Sequence, residues 1–148
     1  VSRGLGDVYK RQKLNNKIET LDGQISSALS QIQQLENAIP QMERRLRSIE
    51  MEISSLQQQL SALQAQLADA EDDDTRQQIQ SQINMVTQQL NSLFREQSEL
   101  EYQIQNAEKQ KASLRQKVSE MKSEKSRCKQ ELSIAKKRRT NISKNLTG

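Results

Sequence analysis

The chain has 148 residues, 32% hydrophobic and 28% charged, with Tyr9, Phe94 and Tyr102 as its aromatic residues and no tryptophan. Such a composition excludes a wide globular core and suffices for an apolar stripe of about two residues in seven. The formal net charge is +4 and there is no histidine. The single cysteine, Cys128, excludes an intramolecular disulfide framework, and no apolar run approaches the roughly 20 residues of a membrane span.

Residues 1–12, VSRGLGDVYKRQ, break the composition of everything that follows. Residues Asp7-Val8-Tyr9-Lys10-Arg11-Gln12 read as the codons of a transposase-recognition end, and Ser2-Arg3-Gly4-Leu5-Gly6 as the preceding bases in the same frame. The segment resembles a translated sequencing-library adapter. That resemblance implies a non-native segment 1–12, to be kept out of fold reasoning, with the native chain beginning upstream and its start or signal peptide lost. It removes Arg3, Lys10 and Arg11 against Asp7, so the net charge falls from +4 to +2.

Helix one is expected over residues 13–70. Ile18, Ile25, Ile32, Ile39, Leu46, Ile53, Leu60 and Leu67 occupy heptad position a. Leu14, Leu21, Ala28, Leu35, Met42, Ile49, Leu56, Leu63 and Ala70 occupy d. No polar residue interrupts this seam, which reads as a coiled coil of roughly 85 Å at 1.5 Å per residue. Pro40 falls at b and predicts a kink rather than a break, because the heptad keeps its phase across it. Gly23 falls at f, facing water.

A turn is expected over residues 71–75, with Asp72, Asp73, Asp74 and Thr75 suited to a helix N-terminus. Thr75 with Gln78, or Asp74 with Gln77, has the spacing of a capping box. The heptad phase shifts here by two residues, which is neither a stutter nor a stammer and so requires a turn.

Helix two is expected over residues 76–142, followed by a polar tail 143–148. Its d positions run Ile79, Val86, Leu93, Leu100, Ala107, Leu114, Met121, Cys128, Ala135 and Ile142. Its a positions include Gln97, Lys111, Lys125 and Arg139, polar residues recurring every fourteen. If the chain reverses about Asp73, opposed residues have indices adding to 146. Gln97 then meets Ile49, Lys111 meets Leu35 and Lys125 meets Leu21. The next residue in each case is an acid at e: Glu50, Glu36 and Asp22. Each lysine can lay its stem on the seam and point its ammonium at a carboxylate. These polar a residues are expected to set register at some cost in stability. Against this, Glu43 and Glu50 fall near Glu101 and Glu108, a repulsive group. The turn end is acidic and the far end basic.

No motif for catalysis or for a cofactor is present. There is no phosphate loop, dinucleotide fingerprint or nucleophile elbow, and Cys128 has no second ligand to share a zinc ion. Cys128 reads as a small d residue. Asp72, Asp73 and Asp74 read as a solvated cap, since they lack the glycine and spaced ligands of a calcium loop. Residues 109–139 carry twelve Lys/Arg against Glu120, Glu124 and Glu131. Within them Lys136, Lys137, Arg138 and Arg139 form a basic patch suited either to phosphate or to a helix C-terminus. No aromatic residues interleave for base stacking. Two Asn-X-Ser/Thr sequons, at Asn141 and Asn145, are present as patterns only. Leu29 and Phe94 at e, and Met51 and Tyr102 at f, lie outside the seam, either as scattered surface residues or as a second face pairing hairpins into a four-helix bundle.

The expected fold is all-α: a long antiparallel two-helix coiled-coil hairpin over residues 13–148. The expected function is a non-enzymatic spacer, arm or oligomerisation element of a larger protein, with protein partners or self-association. Residues 13–148 resemble, in general layout, coiled-coil arms of chromosome-maintenance ATPases and helical regions of secreted bacterial cell-wall hydrolases and polymorphic toxins. Either likeness implies an active domain elsewhere. A basic nucleic-acid-binding arm is the third alternative. The compartment is not legible.

Overall fold

The computed structural model describes the backbone of residues 2–147 and the side chains of residues 4–138. It has two elements, α1 (Ser2–Asp69, 68 residues) and α2 (Asp73–Thr147, 75 residues), and no strand among the described residues. Residues 70–72 connect them. The chain is an all-α antiparallel helical hairpin, as the two heptad phases predict.

The helix bounds differ from the sequence expectation at three places. α1 starts at Ser2 rather than residue 13. Nucleation is the costly step of helix formation, and a nucleated helix adds residues at about a hydrogen bond each. Gly4 and Gly6 tax that extension without stopping it. The turn is shorter than the expected 71–75, because Asp73 already opens α2. At the other end α2 runs on to Thr147, through most of the expected polar tail, where no proline or glycine precedes Gly148. Pro40 is exposed and lies inside a continuous α1. Its ring removes one backbone hydrogen bond, and the helix continues because the apolar seam on either side stays in phase.

The chain divides into two compact units. The terminal unit comprises residues 1–35 and 110–148, and the turn unit residues 36–109. In the terminal unit, Ile25, Ala28 and Ile32 of α1 close on Val118 of α2, flanked by Leu114 and Met121. Leu14 and Leu21 close on Cys128, flanked by Ile18, Met121 and Leu132. In the turn unit, Ile49 and Ile53 close on Val86 and Leu90, with Leu56, Leu60, Leu63, Leu93 and Leu100 packed around them.

Among the described residues, every buried side chain in either unit is apolar or the cysteine, and every one falls at a or d. Burying one aliphatic side chain is worth roughly 1.5–3 kcal/mol, so the seam carries the stability of the pairing. It is not uniformly closed. Leu56, Leu60, Leu63 and Leu67 are only half-buried, although they keep the a/d phase.

Candidate functional site

The turn is built around Asp72. Asp72 stands just outside α2 and caps it: its Oδ1 accepts the Asp74 N–H at 3.3 Å and its Oδ2 accepts the Thr75 hydroxyl at 3.3 Å. The Asp72 carbonyl accepts the first helical bond, from the Arg76 N–H at 3.0 Å. The cap is therefore Asp72, not Asp74 or Thr75 in a capping box with a glutamine. Thr75 instead steadies the capping carboxylate, and Asp73 and Asp74 supply negative charge to the first turn of α2.

The end of α1 is closed from the other helix. Its last turn tightens, the Ala70 N–H donating to the Leu67 carbonyl at 3.3 Å. The Arg76 Nε donates to the Ala70 carbonyl at 2.9 Å. No described residue has a positive φ, so α1 ends without the left-handed cap that glycine usually supplies. A cation at a helix C-terminus serves the orphan carbonyl and the dipole together. Sequence reasoning did not single out Arg76; its spacing of six from the last seam residue, Ala70, is the signal.

None of the described polar a residues is buried. Gln97, Lys111 and Lys125 are each half-buried: long stems lie on the seam while the polar ends reach water. Lys125 Nζ pairs with Asp22, the acid that the register assigns to it. The side chain of Arg139 lies outside the described residues.

Two further ion pairs escaped the sequence reading. Lys17 Nζ lies 2.9 Å from Glu124 Oε1 in the terminal unit. Arg45 lies 2.9 Å from Glu96 Oε1 through Nη2 and 3.0 Å through Nε in the turn unit. All four residues occupy g, and both pairs have indices adding to 141. The g residues flank the seam, so their charges were the available signal. The hydrogen bond to Glu124, and then its charge, raises the pKa of Lys17. The same hydrogen bond, and then the charge of Lys17, lowers that of Glu124.

Lys136, Lys137 and Arg138 are exposed, as a solvated basic face requires. Cys128 is a free, buried thiol within an aliphatic cluster. No group of three or more His, Cys, Asp or Glu side chains among the described residues is placed to hold a metal ion, and no helix there is long and apolar enough to cross a membrane.

Concave surface with apolar lining lies in the turn unit. Two adjoining grooves share Met85 and Gln89. Leu56 and Leu93 edge one, Leu63 and Val86 the other. These are where the seam is half-open. Met85 stands at c, outside the seam, and is 61% exposed; nothing in its heptad position distinguishes it from scattered surface methionine.

No family model, curated protein or solved structure matches this chain.

Proposed function

We propose that the chain is a non-catalytic coiled-coil hairpin that acts as a spacer, arm or oligomerisation element through contacts with protein. The observation that carries this reading is the placement of burial: among the described residues the buried side chains all stand at a or d. The chain places its buried apolar side chains between the two helices, and most of its remaining surface is Gln, Ser and charge, with Met85 and Ile134 among the exposed apolar side chains. An element built this way transmits position; it does not enclose a reacting group. The shared position of the Lys17–Glu124 and Arg45–Glu96 pairs supports one register in each unit.

The test is cooperative melting of a helical monomer or oligomer by circular dichroism, in the parent and in Ile49→Asp. A helical signal with one sharp transition, abolished by Ile49→Asp, is expected. A chain without helical signal, or a melt that ignores Ile49→Asp, would remove the reading.

A basic nucleic-acid-binding arm is the second reading, favoured by the exposed Lys136, Lys137 and Arg138. It requires duplex DNA or RNA to be retained with steep salt dependence, and retention to be lost when those three residues become glutamine. Absence of retention at low salt would end it.

A further inference from the structure

The two units carry opposite charge. The turn unit has thirteen Asp/Glu against six Lys/Arg, a net −7. The terminal unit has seventeen Lys/Arg against six Asp/Glu, a net +11. Without residues 1–12 the latter is still +9. A single chain therefore offers two surfaces of complementary sign, each on its own compact unit.

The turn unit also holds the half-open seam, with Met85 at its lip. The terminal unit exposes an aliphatic side chain of its own, Ile134, at 53%. Met85 and Ile134 stand at the same heptad position, c, of α2.

We propose that the turn unit of this chain docks against the terminal unit of a second copy, in an antiparallel dimer that forms both such contacts at once. Met85 and its groove receive the exposed Ile134 side chain of the other copy, and the carboxylates of one unit face the ammonium and guanidinium groups of the other. A two-fold arrangement makes the contact close on itself rather than grow into a filament. The alternative parallel arrangement sets −7 against −7 and +11 against +11, which like-charge repulsion opposes. This deepens the proposed function, from an element that pairs helices within one chain to one that pairs chains, and it rests on that reading.

The test measures mass by sedimentation equilibrium on the full chain, with charge-reversed variants on exposed positions. One variant carries Glu52→Lys and Glu99→Lys in the turn unit; the other carries Lys117→Glu and Lys122→Glu in the terminal unit. The parent is expected at twice 17.0 kDa at concentrations on the order of 10 µM. Either variant alone is expected to weaken the dimer by about tenfold or more. An equimolar mixture of the two is expected to recover it, because each reversed surface then meets its complement. In a Cys128→Ser background, a thiol cross-linker is expected to join Met85→Cys chains to Ile134→Cys chains. A monomeric parent, a dimer indifferent to reversal, a mixture without rescue, or cross-linking of Met85→Cys chains to one another would each overturn the proposal. So would a monomer that binds duplex DNA, which would assign the basic unit to a polyanion. Circular dichroism on the same samples separates the two levels: a helical, cooperatively melting monomer removes the dimer and leaves the hairpin reading standing, whereas loss of helix in the parent removes both.

Discussion

At the scale of the residue, position in the heptad decides the cost of a change. Ile49 has 0% exposure and Met51, two residues on, has 73%. Ile49→Ala is expected to cost about 3 kcal/mol, from lost burial plus the cavity it leaves, lowering the melting midpoint by roughly 6–12 °C. Met51→Ala is expected to stay within about 0.5 kcal/mol. Equal midpoints for the two would refute the seam as the source of stability. Gly23 sits mid-helix with open space where a Cβ would stand, so Gly23→Ala is expected to add about 0.5–1 kcal/mol by restricting the unfolded chain and favouring helix.

The Lys17–Glu124 pair gives stability a definite pH signature. Glu124 has a depressed pKa in the folded state. Its contribution is present above the ordinary carboxylate range and is lost as pH falls through the lowered value. Lys17 has a raised pKa, so its contribution is present below the ordinary ammonium range and is lost as pH rises through the raised value. The two limbs leave a plateau through neutral pH. Both side chains are well exposed to water, so the effect is screened and small. In paired melts of the parent and Glu124→Gln, the difference is expected to be constant near neutrality and to vanish in strong acid. A difference that grows on acidification would contradict the pairing.

At the scale of the element, the helices and their reversal are legible in the sequence because the repeat of Ile and Leu at three and four spacing has one physical solution, a long apolar stripe. The two-residue phase shift shows that the stripe stops and restarts. The cap is less legible. Asp72, Asp73 and Asp74 are all good N-caps, and the choice falls on Asp72 because α1 ends at Asp69 and residues 70–72 close the gap. The C-terminal closure by Arg76 depends on a neighbour that only the folded turn brings near. Asp72→Ala removes an N-cap and is expected to cost about 1 kcal/mol. Arg76→Ala strips a hydrogen bond from an exposed carbonyl that water can replace, and is expected to cost less. Urea melts of the two variants check that order. Register is open to a direct chemical check as well. Ile18 packs on the cluster that holds Cys128, so Ile18→Cys is expected to oxidise with Cys128 within one chain. Reduced thiols persisting under a mild oxidant would place the register elsewhere.

At the scale of the whole molecule, the seam is a series of local layers, and its layers are not alike. The turn unit packs Ile49, Ile53, Val86 and Leu90 together and is closed by only three connecting residues. The terminal unit places alanine, cysteine and two lysines at seam positions: Ala28, Cys128, Lys111 and Lys125. A short connection makes the first contacts inexpensive in chain entropy, since closure cost grows with the length closed. Layers beyond it form on an existing pair of helices but hold smaller side chains or polar ones that are only half-buried. Local opening should therefore be easiest in the layers near the termini and hardest around Ile49. Amide hydrogen exchange is expected to show greatest protection for the backbone near Ile49 and Leu90, falling toward Leu14 and Cys128. Gly23→Ala should slow exchange in the terminal unit more than in the turn unit, because the added helix stability acts where opening is most frequent. Uniform protection along both helices would mean that the chain opens as one cooperative block, and maximal protection near Leu14 would place the strongest layer at the termini.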